Sequence, residues 1–128
     1  MEIIEAKAGE GRTSVEIHAF LTGGKGICAF LTGGVIHNGG TVVASPRLKS
    51  NAKNEEDRTA DIWISAVPCH KDTEAGLPVA KYLAVTINQA VSLTCGIHVD
   101  HASKEEIQEI CENCMEAARK LAEIILKK

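Results

Sequence analysis

Aromatic residues are nearly absent from this chain: Phe20, Phe30, Trp63 and Tyr82 are the whole supply in 128 residues. A protein so poor in aromatics has no series of stacking platforms for single-stranded nucleic acid. Its core must be built from Ile, Leu, Val and Ala. Excess positive charge is missing too. A net charge of −3, from 14 basic and 17 acidic residues, leaves no basic field for a nucleic-acid partner. No apolar stretch approaches the ~20 residues needed to span a bilayer. The opening Met1-Glu2-Ile3-Ile4-Glu5 lacks the basic and apolar regions of a signal peptide. The cysteine count, 5, is odd, and the spacing is not that of a disulfide framework, which fits a reducing compartment. A soluble, cytoplasmic protein with neither nucleic-acid nor membrane partners is the expectation. The length fits one domain, residues 1–128, burying roughly two-thirds of its unfolded surface.

Several catalytic signatures are also lacking. There is no Gly-Lys-Ser/Thr of a Walker loop, no GxGxxG opening a helix, no GxSxG elbow and no HExxH. What is present is a pattern of strands. Residues 2–8 are a short strand candidate. Val15, Ile17, Ala19 and Leu21 alternate with Ser14, Glu16, His18 and Phe20, the period of a strand with one polar face. Gly23-Gly24-Lys25-Gly26 turns the chain into the apolar Ile27–Leu31, which is a hairpin signal. The repeated Ala-Phe-Leu-Thr-Gly-Gly at 19–24 and 29–34 reads as two strands with similar ends. Thr41–Ala44 is a further strand, ended by Ser45-Pro46, and 47–58 is a charged, exposed loop.

Ala60–Val67 reads as a buried strand closed by Pro68. A helix then starts near Thr73, with Ala80, Leu83, Ala84 and Ile87 on one face and an irregularity at Pro78. Val91–Cys95 is the last strand. Ser103-Lys104-Glu105-Glu106 is a capping box opening a helix to about Leu126. Its expected buried stripe is Ile107, Ile110, Cys111, Cys114, Ala118, Leu121, Ala122 and Ile125. The fold class is therefore α/β: a mixed sheet with an N-terminal hairpin, packed by two helices, with a right-handed crossover between the last two strands.

Three histidines follow apolar runs: Val35-Ile36-His37, Pro68-Cys69-His70 and Gly96-Ile97-His98. If the strands run the same way, all three imidazoles reach one rim, where open α/β sheets place ligands. Gly33-Gly34 and Gly39-Gly40 flank His37, and successive free amides in such a turn hold anions. A wide turn with an exposed histidine explains the segment equally well. His70-Lys71-Asp72 lies before a helix N-terminus, where amides attract anions and Lys71 adds charge. His70 there can hold a phosphate, act as a general base or ligate a metal; ordinary cap and turn residues are the plainer reading. Alternation puts His98 and Asp100 on one side of an extended segment, with His101 elsewhere. His98 and His70 form the firmer pair, because both precede helices.

The Cys111-x-x-Cys114 pair lies two turns inside a helix, where a redox motif would open one, so both cysteines read as core. Cys95 reads as core and His18 as surface. Cys69 should point away from its neighbour His70.

Taken together, Gly33-Gly34-x-x-His37-x-Gly39, Ala44-Ser45-Pro46-Arg47, Pro68-Cys69-His70-Lys71-Asp72 and Cys95-Gly96-Ile97-His98-Val99-Asp100-His101 through Ile107 resemble the small D-subunit of gallate decarboxylase. That subunit typifies the prenylated-flavin chaperone-like family, related in fold to proteasome assembly chaperones. The resemblance covers about residues 9 to 126. It implies a non-catalytic accessory protein of a prenylated-flavin-dependent aromatic-acid decarboxylase, handling prenylated flavin mononucleotide, partnering the decarboxylase and forming a homodimer. Cofactor-binding residues would then be Gly33, Gly34, His37, Gly39, Arg47, His70, Lys71, His98 and Asp100. Two rivals stand beside it: a ligand-free assembly protein, and a small metal-dependent enzyme using His37, His70, His98 and Asp100.

Overall fold

The alternation before Gly23 produces the expected hairpin, and a strand precedes it. In the computed structural model, which describes residues 1–128, strands β1 (Glu2–Ala8), β2 (Val15–Leu21) and β3 (Ile27–Gly34) pair antiparallel in sequence. A second hairpin joins β4 (Gly40–Leu48) to β5 (Arg58–Ala66). Helix α1 (Asp72–Ile87), strand β6 (Val91–His98) and helix α2 (Lys104–Leu126) complete the chain.

The sheet order is β1-β2-β3-β6-β4-β5. Strand β6 inserts between the two hairpins, parallel to β3 and antiparallel to β4. Because β4 is also antiparallel to β5, strands β3, β5 and β6 all point one way. The crossover β5–α1–β6 therefore joins parallel strands that are not neighbours, and α1 passes over β4 between them. Helix α1 packs on β4, β5 and β6, helix α2 on β1 and β2, and the helices touch each other. Both cover one face. Ile17, Leu31, Val42, Leu83, Leu93 and Leu121 lie fully buried in that layer, each contributing about 2 kcal/mol of transfer free energy. Few aromatics are needed because two layers of aliphatic side chains fill the space.

Three expectations need correction. Pro46 does not end β4, which continues through Arg47 to Leu48 opposite Arg58. Pairing with β6 stops at Ala44, so Pro46 sits where β4 has one free side and its missing N–H breaks no ladder. The loop is thus 49–57. Strand β5 is not buried but forms the sheet edge, with Trp63 58% and Ile64 48% exposed. Helix α1 begins where expected, at Asp72, one residue before Thr73, and carries exposed Pro78 within it, ending at Asn88 in the left-handed region. In α2, Ile107 and Cys111 are exposed and Ala117 is buried instead. Ile107 and Cys111 line a cleft, while Ile110 between them does reach the core. The capping box does form: Ser103 Oγ accepts from the Glu106 amide at 3.1 Å, and Glu106 Oε1 accepts from the Ser103 amide at 3.0 Å.

Candidate functional site

Parallel direction of β3, β5 and β6 brings their C-terminal ends to one rim, and the three histidines with them. The His37 and His70 ring centroids are 5.1 Å apart, and His37 and His98 are 6.3 Å apart. The histidine that depends on the glycine turn is thus the central one. What fixes it is packing. Val35 N donates to the His98 carbonyl at 2.8 Å, and Gly39 N donates to the Cys95 carbonyl at 2.7 Å. The turn lies flat across the end of β6.

Glycines at 34, 39 and 96 make that approach possible. A Cβ at Gly34 would run into the His98 carbonyl, one at Gly39 into the Asp72 carboxyl group, and one at Gly96 into the His37 carbonyl. Gly34 also has φ +65°, a conformation open to glycine. Gly33 is in ordinary strand pairing with Ile97. At the two ends of the turn the amides of Val35, Gly39 and Gly40 are bonded within the protein.

The residue that organises the rim is one sequence reasoning treated only as a cap. Asp72 is 9% exposed. Its Oδ2 accepts from the Ile97 amide at 2.7 Å and lies 2.9 Å from His37 Nε2; its Oδ1 lies 3.6 Å from His70 Nδ1. The signal available was its place as first residue of a helix after a strand-end histidine. Reading Asp72 as a local cap hid its long-range bond to β6. On the other side of His37, Nδ1 lies 2.9 Å from the Val35 carbonyl. His98 takes its own carboxylate, with Nε2 2.7 Å from Asp100 Oδ1, as alternation requires. Arg12 clamps this junction by donating to the Asp100 carbonyl and to Glu106. The hydrogen bond from Arg12 holds the Glu106 carboxyl down at about 2, aided by the Ser103 amide.

A cleft of about 610 Å³ opens beside the histidines. Ile97, Val99, Ala102, Ile107 and Ile110 form its apolar wall; His70, Lys71, Asp72, Glu74 and His98 line its polar end. Cys69 and Cys111 line it as well. Cys69 has φ +68°, which breaks strand alternation and puts it on the same cleft as His70, not opposite. Of the helical cysteine pair, Cys114 is core and Cys111 is cleft wall. Burial pushes the Cys114 and Cys95 thiols up to about 12, the Asp72 carboxylate adding to the shift of Cys95.

Arg47 does not join this site. It lies near the far end of β4, donating from Nε to Asp61 at 2.8 Å. Seven residues of strand separate it from Gly40, about 23 Å of rise.

The sequence from 9 to 126 matches the prenylated flavin chaperone LpdD-like domain family. The chain belongs to that family. Membership supports an accessory, chaperone-like role. No curated protein matches the chain significantly. Among solved structures, the chain is similar to a protein of a chaperone complex for yeast 20S proteasome assembly, with a TM-score of 0.60 and 11% identity. The match covers 98% of this chain and 95% of that one, so this LpdD-like domain shares its fold. No helix is long and apolar enough to cross a membrane.

Proposed function

We propose that this LpdD-like protein is a non-catalytic accessory protein of a prenylated-flavin-dependent aromatic-acid decarboxylase, binding the flavin mononucleotide in the histidine-rim cleft and delivering it. The observation that supports this most is the division of the cleft into an apolar wall and a polar end, where Lys71 and two histidines stand beside the carboxylates of Asp72 and Glu74. Ile97, Val99, Ile107 and Ile110 suit a flat, largely apolar ring system. His70, Lys71 and His98 suit a phosphate, beside the first amides of α1, whose N-terminus has no side-chain cap. The donor set therefore fits the cofactor. When bound, the flavin is cargo, and its ring carries the chemistry that the decarboxylase uses. His37 supports the site from behind through Asp72, Asp100 orients His98, and the glycines hold the turn. Arg47 has no part in it.

Titrating the chain with flavin mononucleotide, followed by flavin absorbance and fluorescence, tests the reading. His70→Ala and Lys71→Ala should each weaken binding roughly tenfold, the worth of one charge-assisted hydrogen bond. Arg47→Ala should leave it unchanged. Unaltered affinity in both cleft variants rules the site out.

The homodimer belongs to the uncovered sheet face. Cross-strand register aligns Ile3, Phe20, Cys28, Ser92, Val43 and Trp63 in one row across all six strands. Phe20 and Trp63 are exposed there, and six strands at ~4.8 Å spacing give a face about 25–30 Å wide. That is the scale of the ~800 Å² per partner that a stable interface buries. Trp63→Glu should convert a dimer to monomer in sedimentation; a monomeric parent chain disposes of the idea.

A further inference from the structure

His37, His70 and Asp72 place three ligand atoms within 4.8 Å of one another, a spacing suited to a shared cation. Two ligands at 2.0–2.2 Å from one ion lie about 2.8–3.6 Å apart in octahedral or tetrahedral geometry. The separations here, 2.9 Å from His37 Nε2 to Asp72 Oδ2 and 3.6 Å from His70 Nδ1 to Asp72 Oδ1, fall at the two ends of that range, through the two oxygens of one carboxylate.

The second observation is how the ligands are held. His37 Nδ1 faces the Val35 carbonyl at 2.9 Å, a bond that needs its proton on Nδ1. Nε2 then turns its lone pair toward a carboxylate oxygen, and two electron-rich atoms at that distance need a positive charge between them. A second proton or a metal ion meets the requirement. Metal-ligating histidines are held in the same way, by a backbone carbonyl on the other ring nitrogen. Asp72 is held likewise, its Oδ2 bonded to the Ile97 amide at 2.7 Å. A buried carboxylate and an imidazole are thus fixed in place before any ion arrives, and the half-exposed His70 closes the set.

We propose that His37 Nε2, His70 Nδ1 and the Asp72 carboxylate bind one divalent first-row transition-metal ion. Two imidazoles and a carboxylate suit zinc, iron(II), cobalt(II) or manganese(II) better than magnesium or calcium. Asp72 and His70 both line the cleft, so the remaining coordination positions open into it. Water or an anionic oxygen, such as that of a phosphate, completes the shell there. The site differs from a set using His98 and Asp100, because those two pair with each other at the cleft mouth. It does not depend on the flavin reading, since the ligands are complete without one.

The test is titration of the intact, chelator-treated chain with zinc by calorimetry and with cobalt(II) by its visible absorption, in the absence of flavin. One ion should bind per chain, and the cobalt spectrum should lack a thiolate charge-transfer band. His70→Gln and His37→Gln should each weaken binding roughly 10- to 100-fold or more. The His70 side chain is 39% exposed and lies outside the core, so His70→Gln should keep the fold, which circular dichroism verifies. Cys69→Ser and Cys111→Ser should bind as the parent does. So should His18→Gln, which removes the exposed Glu5, Glu16 and His18 group on the open sheet face. Absence of saturable binding at submillimolar zinc overturns the proposal. So does binding that survives the His37→Gln, His70→Gln double variant, or that is lost with Cys69→Ser.

Discussion

The two rims of the sheet both carry glycine-rich turns and both carry a cleft, yet they are built differently. The rim opposite the histidines has the larger cleft, about 900 Å³, beside Leu21, Gly23, Gly24 and Gln89. Its charged residues Glu2 and Lys128 pair with each other at 2.6 Å. Two of its glycines serve the backbone alone: Gly23 and Gly24 have positive φ and nothing within 4 Å of a Cβ, while Gly26 lies against the Ala90 carbonyl. At the histidine rim the glycines at 34, 39 and 96 are instead surrounded by protein. Two imidazoles, His37 and His70, are drawn there onto one buried carboxylate, with His98 beside them on Asp100. Size of cavity does not distinguish the rims; convergence of titratable groups does.

The sharpest way to break that contrast is to add one methyl group at each rim. Gly96→Ala drives a Cβ into the His37 carbonyl and should cost at least about 3 kcal/mol, the upper range for overpacking, with loss of the site. Gly24→Ala meets only the backbone penalty of its φ of +98°, about 1 kcal/mol. Urea unfolding of the two variants measures both; equal costs would remove the distinction.

A smaller effect concerns acid. Glu106 is held at about 2 by Arg12, below its ordinary value of 4.5. A depressed carboxyl stabilises the fold above the unfolded value, and that contribution is lost as pH falls from about 4.5 toward 2. Arg12→Ala should therefore flatten the fall of the urea midpoint across that window. Smallest of all, Lys128→Ala at the opposite rim removes an exposed ion pair and should change the midpoint by less than about 0.5 kcal/mol equivalent at neutral pH. A steeper acid dependence in Arg12→Ala than in the parent would contradict the clamp at the β6–α2 junction.

Much of this arrangement was legible in the residues. Strand-end histidines followed by helices placed His70 and His98 at one rim, and Ser103 with Glu106 marked the start of α2. The parts that were not legible share a cause: they depend on which element lies next to which. Asp72 looks like a cap until β6 is seen to lie beside it and supply the Ile97 amide. Arg47 belongs to a strand whose exposed, charged residues mimic a loop. Trp63 and Ile64 look like core, yet β5 has a neighbour on one side only. Ile107 and Cys111 follow the helical stripe faithfully, but they line the histidine-rim cleft and not the core.

Insertion of β6 between β3 and β4 has a consequence for how the molecule comes into being. The β1–β2–β3 meander and the β4–β5 hairpin use contacts close in sequence and are expected to form early. Neither half can close the sheet. His37 emerges with the first half and His70 follows the second, but the carbonyl of His98 and the amide of Ile97 that fix the turn and Asp72 arrive with β6. During synthesis the pocket is therefore among the last things made: β6 joins the two halves, and α2, which follows it, adds the wall of Ile107, Ile110 and Cys111. A chain able to take up a ligand at this rim is one whose sheet is already complete.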